Sequence, residues 1–231
     1  LVRVFKSCHI IEREREHERA CQLLASREGI AATPLFLNKE LMVCTFVKGE
    51  HLGLLGEREI LRMARALKKL HSLAYRGGEP FDLKAYFEYH VSEALDGEFI
   101  EKNDTLIQIT REKIASLLPL PQVLCHNDLH VKNILFNENV TFIDWEYVGM
   151  NDRYFDLATI VEEFCLSDAE SKMLLTTYND ILPLPLGLKR LQDFRLIVSV
   201  LSALWLSLQE DENKRLEATK YLEKAYAVSS L

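Results

Sequence analysis

The stretch CHNDLHVKNILFNENVTFIDWEY, residues 125–147, decides how the rest of the chain is read. QVLC, NILF and VTFID are three short apolar runs separated by polar turns, so the segment predicts a small β island with a hairpin. Asp128 follows the first strand, Asn133 opens the second and Asp144 closes the third. Two hairpin strands ending near a preceding loop would bring these three residues together at one edge. Taken singly, Asn133 and Asp144 read as turn caps and Asp128 as an exposed loop residue. Taken in order on matching elements, they predict a site. Phosphoryl transfer needs such oxygens: one carboxylate to accept the proton of an attacking hydroxyl, with an amide and a second carboxylate to hold Mg²⁺.

Working outward, helices dominate. Ile60, Leu61, Ala64, Leu67 and Leu70 recur at three- and four-residue spacing and predict a helix over residues 57–71. Further helices are expected over residues 83–95, 104–118, 154–166, 169–178, 188–209 and 213–227. The first 47 residues read differently. LVRVF is a short strand, residues 12–26 form an amphipathic helix, Thr33-Pro34 breaks the pattern, and LMVCTFV is a second, more buried strand. The outline is α+β: residues 1–48 form a small strand-plus-helix piece, and residues 49–231 a larger, mostly helical one.

The chain has 28 Lys+Arg against 35 Asp+Glu, a net charge of −7, which argues against nucleic acid as the main partner. Hydrophobic residues make up 48% and charged residues 27%, the balance of a globular protein rather than a disordered tail. Five cysteines are scattered without a C-x-x-C pair, which fits reduced, buried thiols better than disulfides or zinc. The apolar run over residues 196–206 falls far short of the ~20 residues that span a bilayer. The expectation is a cytoplasmic protein without membrane attachment. Oligomeric state is not legible.

His126-Asn127-Asp128-Leu129, with Asn133 after it and then Asp144-Trp145-Glu146, resembles the protein-kinase pattern H-R-D-L-x-x-x-N followed by D-F-G. Asn127 stands in place of Arg, and no Gly follows Asp144. The segment looks like the aminoglycoside phosphotransferase and choline kinase superfamily. Within it, the I-D-W-E-Y of residues 143–147 and the G-M-N-D of residues 149–152 are similar to the bacterial choline/ethanolamine kinase branch. The likeness covers nearly the whole chain. Residues 66–71 resemble a helix ending in L-x-x-L-H, whose His71 reads as a helix-end residue bonded to terminal carbonyls, without a catalytic role. Asp156-Leu157-Ala158 resembles a D-L-A whose Asp ties the catalytic loop to the next helix. Residues 203–209 resemble a helix with choline-contacting tryptophans. Trp205 and Gln209 fit, and Ser202 replaces the first Trp.

The resemblance implies a protein-kinase-like two-lobed fold that uses ATP and Mg²⁺. The implied reaction transfers the γ-phosphate to the hydroxyl of a small cationic alcohol, choline or ethanolamine. Asp128 would be the base and contact the substrate, with Asn133 and Asp144 as metal ligands. A quaternary ammonium cannot donate hydrogen bonds and is recognised by aromatic faces and carboxylates. Glu146, Tyr147, Trp205 and Gln209 are therefore the expected substrate residues. Arg3 would grip the nucleotide phosphates with Glu16, or alternatively Glu14, as its helix partner. Residues 45–47 (Thr45, Phe46 and Val47) would offer backbone groups to adenine.

One part of the resembled pattern has no counterpart here: the phosphate-covering hairpin that precedes the Arg strand. The smaller lobe is therefore expected to be incomplete at its N-terminus. Thiamine kinase and aminoglycoside phosphotransferase are the alternatives within the enzyme class. A non-catalytic kinase-like remnant is the alternative outside it, and Asp128, Asn133 and Asp144 argue against that one.

Overall fold

Short β-branched and aliphatic runs fold here into pairs and triplets of strands, and the amphipathic segments between them form helices. The computed structural model describes residues 1–4, 12–38, 40–75, 77–94, 97–179, 181–209 and 212–229. In chain order the elements begin β1 (Val2–Val4), α1 (Glu12–Arg27), β2 (Pro34–Leu37), β3 (Leu41–Cys44), α2 (Glu57–His71), α3 (Leu83–Glu93) and α4 (Gly97–Ser116). They continue with β4 (Val123–Cys125), a 3-10 turn at Val131–Asn133, β5 (Ile134–Phe136), β6 (Val140–Phe142) and β7 (Gly149–Asn151). Four helices follow: α5 (Arg153–Glu163), α6 (Asp168–Tyr178), α7 (Leu184–Ser207) and α8 (Glu212–Ser229).

The chain divides into two compact units. One comprises Leu1–Pro80 with Gln122–Ile181, the other Phe81–Pro121 with Leu182–Leu231. The boundary expected at residue 48 falls inside the first unit. There, β1, β3 and β2 form an antiparallel sheet in that order, with Arg3 opposite Met42. Met42, Cys44 and Ala32 pack beneath it with Leu37 and Val47. Gln22 of α1 donates to the Ala32 carbonyl at 2.8 Å, which pins the helix to the strand entry. The hairpin β5–β6 forms as expected, and β4 pairs with β7. Backbone bonds join hairpin and N-terminal piece: Phe142 N–H donates to the Ile30 carbonyl at 2.8 Å, and Glu50 and Phe136 exchange bonds at 2.9 Å. Arg62 of α2 donates to the carbonyls of Asn137 and Asn139, clamping the hairpin turn.

α2 matches its expected range. Ile60, Met63, Ala64, Leu67 and Leu70 are fully buried, as the 3.6-residue period requires. Pro34 does not break the chain but opens β2, where a missing N–H costs no ladder bond. β3 ends at Cys44 rather than residue 47. α7 begins at Leu184, earlier than expected, because proline is tolerated in a first helical turn. Every described element of the second unit is a helix. Lys113 of α4 pairs with Asp193 of α7 at 2.8 Å, and Arg111 of α4 grips Glu88 of α3 through two bonds of 2.7 and 2.9 Å. No helix among the described residues is long and apolar enough to cross a membrane. Cys21, Cys44 and Cys125 are buried as expected, whereas Cys165 is exposed. It sits just past α5 with φ of +50°, in a turn that faces solvent. Cys8 lies outside the described residues.

Candidate phosphoryl-transfer site

β4 delivers the chain into the loop that carries Asp128, and the loop is braced from behind. Asp156, fully buried near the start of α5, accepts the His126 N–H at 2.8 Å and the Asn127 N–H at 2.9 Å. Its third donor is the Nε2–H of His71 at 3.1 Å, and His71 Nδ1 accepts from the Tyr178 hydroxyl at 2.9 Å. His71 therefore does not cap helix-end carbonyls. It is a buried link between α2, α5 and α6 that the sequence reading missed. His71, Cys125 and Asp156 place ligand-type atoms within 4.8 Å of one another. Asp156 is already committed to three donors, and burial pushes the Cys125 thiol well up and keeps it protonated. The trio is a hydrogen-bonded brace.

Asn127 adopts φ of +65°, a left-handed conformation that Asn tolerates better than most residues. Its Nδ2 donates to the Tyr147 carbonyl at 2.9 Å, and its Oδ1 accepts from Asn151 at 2.9 Å. The residue that replaces Arg in the kinase pattern is thus a spacer between the loop and the segment after β6. His126 is fully buried against Trp145 and Phe142, and its Nε2–H donates to the Ile143 carbonyl at 3.0 Å. Burial lowers its pKa to about 4, so the ring is neutral, and Nδ1 has no partner among the described residues.

The three expected residues do come together. The Nδ2 of Asn133 donates to the Asp128 carboxylate at 2.7 Å and to the Asp128 carbonyl at 2.9 Å. Burial raises the pKa of Asp128. His130 and the Asn133 bond oppose that rise, while the charges of Asp144 and Glu146 add to it. His130 Nε2 lies 3.7 Å from the Asp128 carboxylate, a neighbour that the sequence reading did not single out. Asp144 is exposed, with φ of +63°. Trp145 is buried, its Nε1 donating to the Phe142 carbonyl at 3.0 Å, while Glu146 and Tyr147 are exposed. The Tyr147 hydroxyl is pushed up by burial first and then by Glu146, Asp128 and Asp144, so its phenol lies in the same acidic cluster. Asn133 uses its Nδ2 on Asp128, so its Oδ1 is the atom it could offer a metal, and Asp144 supplies a carboxylate to the same acidic cluster. Both are hard oxygen donors, the kind that Mg²⁺ selects, so the residues present fit that ion.

The nucleotide-side expectations fare unevenly. Arg3 lies in β1, and its side chain is outside the described residues, as are those of Arg13 and Glu14. Glu16 is exposed and pairs with Arg19 at 3.6 Å. The inward face of α1 is instead Arg15, Glu18, Cys21, Gln22 and Ala25. The expectation that Glu16 lies on that face is therefore corrected, because the 100° step per residue turns position 16 away from 18, 22 and 25. Thr45 N–H donates to the Thr33 carbonyl at 2.9 Å, and the Thr45 hydroxyl accepts from the Thr33 N–H at 2.9 Å. Thr45 is thereby engaged, whereas the backbones of Phe46 and Val47 are unused among the described residues.

Trp205 and Gln209 belong to the second unit. The Lys214 ammonium sits 5.3 Å from the Trp205 ring centroid and donates to Gln209 Oε1 at 3.3 Å. The aromatic face expected to meet a substrate cation already holds one of the chain's own.

Residues 4–191 match the family described as the phosphotransferase enzyme family. Protein LicA of Haemophilus influenzae is 40% identical over 111 residues, covering 44% of this chain and 42% of that protein. Ethanolamine kinase 2 of the mouse is 31% identical over 182 residues, covering 71% of this chain and 46% of that protein. The matched residues span less than half the length of these curated relatives. The solved structure of a choline/ethanolamine kinase family protein from Mesorhizobium loti superposes with a TM-score of 0.83 at 21% identity. That match covers 100% of this chain and 82% of the other, and it shows that the kinase-like α+β fold is shared.

Proposed function

Because the chain belongs to the phosphotransferase enzyme family, we propose that it transfers the γ-phosphate of ATP to the hydroxyl of choline or ethanolamine. The observation that carries this reading is the Asp128 carboxylate, fixed by Asn133 at 2.7 Å and set in one acidic cluster with Asp144 and Glu146.

Asp128 accepts the proton of the attacking alcohol. Burial raises its pKa, which makes it a better base than an exposed carboxylate. Asn133 fixes the carboxylate plane, so the lone pair that receives the proton has one direction. Asn133 Oδ1 and Asp144 would hold Mg²⁺, which when bound neutralises charge on the phosphates. Glu146 and Tyr147 offer the substrate ammonium a carboxylate and an aromatic face. Trp205 and Gln209, within the second unit, present a ring face and an amide of the kind that suit a substrate ammonium. Arg3 grips the phosphates, with Glu14 as its partner, and residues 46–47 offer backbone groups to adenine. Thr45 contributes by fixing the start of that segment. Cytoplasmic location fits a reaction that consumes ATP.

ATP turnover measured against choline, ethanolamine, thiamine and kanamycin tests the assignment. Turnover on choline or ethanolamine supports it. Activity confined to thiamine or kanamycin overturns the substrate class.

A further inference from the structure

The turn that carries Asp144 and Tyr147 accepts hydrogen bonds on several of its carbonyls. Phe142 O accepts from Trp145 Nε1 at 3.0 Å, Ile143 O from His126 at 3.0 Å, and Trp145 O from the Val148 N–H at 3.1 Å. Tyr147 O accepts from Asn127 at 2.9 Å. These four donors come from the turn itself or from the Asp128 loop. The fifth does not. Val148 O accepts at 2.9 Å from Nε2–H of His17, a residue of α1 that is 131 positions away in sequence. The other nitrogen of the same ring, Nδ1, faces the Tyr75 hydroxyl at 2.6 Å, with the two rings edge to face at 5.3 Å. A carbonyl can only accept, so Nε2 carries the proton, and Tyr75 donates to Nδ1 and fixes that tautomer.

Asp144 sits in a left-handed conformation, which Asp adopts more readily than most residues but which still costs energy that its surroundings must offset. Every carbonyl bond on the turn therefore helps to aim the Asp144 carboxylate. We propose that His17 is a positioning residue that makes the placement of the 144–148 turn depend on the placement of α1. The inference rests on the phosphoryl-transfer reading of the site. In that reading α1 belongs to the nucleotide side and the turn to the metal and substrate side, so His17 makes binding on one side tighten the other. A purely structural role is a poor account of the contact. α1 is already docked by Gln22, Cys21 and Ala25, and two directional bonds to two separate segments add aim more than adhesion.

The test compares His17→Ala, His17→Gln and Tyr75→Phe with the wild type. Mn²⁺ affinity is read by electron paramagnetic resonance with a non-hydrolysable ATP analogue present, alongside kcat and melting temperature. Loss of one aimed hydrogen bond should weaken Mn²⁺ binding roughly 5- to 30-fold in His17→Ala and lower kcat similarly. His17→Gln, which keeps a donor for Val148 and an acceptor for Tyr75, should return to within about 3-fold of wild type. Tyr75→Phe should fall between them. Wild-type Mn²⁺ affinity in His17→Ala would overturn the inference. So would equal loss in the Ala and Gln variants accompanied by a falling melting temperature. Absence of phosphate transfer by the wild type would sink the functional reading instead, and the Mn²⁺ comparison would still decide the role of His17.

Discussion

Asn133 holds Asp128 twice, by a 2.7 Å bond to its carboxylate and a 2.9 Å bond to its carbonyl. In the proposed reaction the side chain that would present an oxygen to the metal is also the one that fixes the base, so the two functions should fail together. Asn133→Ala is expected to lower kcat at least ~100-fold and to raise the Mg²⁺ concentration needed for half-maximal rate. Steady-state kinetics across a Mg²⁺ series checks this. A fall in kcat that saturating Mg²⁺ fully restores would show that Asn133 serves the metal alone.

The buried His126 gives the fold an acid limit. Its ordinary value of 6.5 drops to about 4 in the folded chain, chiefly through burial. The unfolded chain therefore takes up this proton first, and stability falls as pH drops from about 6.5 toward 4. Above that window the ring is neutral in both states and contributes no slope. Integrated over the window, the loss amounts to about 3 kcal/mol. Urea unfolding at pH 7 and pH 4.5 measures it, and His126→Gln should flatten the difference. An equal pH dependence in that variant would assign the acid loss to other groups.

Lys214 covers the Trp205 ring and bonds to Gln209. An ammonium placed there should repel a quaternary ammonium more than it impedes a primary one, which carboxylates can hold by hydrogen bonds. Lys214→Met is expected to lower the KM for choline several-fold and to leave ethanolamine nearly unchanged, given ~0.5–1 kcal/mol for an exposed cation–π contact. Tryptophan fluorescence titrated with tetramethylammonium gives an independent reading. Identical titrations in both proteins would remove Lys214 from substrate choice.

The legible and illegible parts of the molecule divide on physical lines. α2 was readable because Ile60, Ala64, Leu67 and Leu70 bury one face at regular spacing. The proximity of Asp128, Asn133 and Asp144 was readable because local spacing along the loop and the hairpin after it sets it. Glu16 was misplaced because residues 12–19 are nearly all charged, so no apolar marker shows which side of α1 faces inward. The braces were invisible for another reason. Asp156 binds the N–H of His126 from 30 positions away, and His17 reaches Val148 across 131. Only the tertiary fold pairs such residues. The one available signal was a polar residue on an otherwise inward face, as with His71 beside Leu67 and Leu70.

The central claim is that Asp128 is the base of a phosphoryl transfer to a small alcohol. The most direct measurement is the rate of phosphate transfer from γ-labelled ATP to choline and to ethanolamine, comparing the wild type with Asp128→Asn. Nucleotide binding and melting temperature should be confirmed unchanged in the variant. A drop of at least ~10³-fold in kcat with intact nucleotide binding is the expected result. Transfer by Asp128→Asn at a rate close to that of the wild type would contradict it.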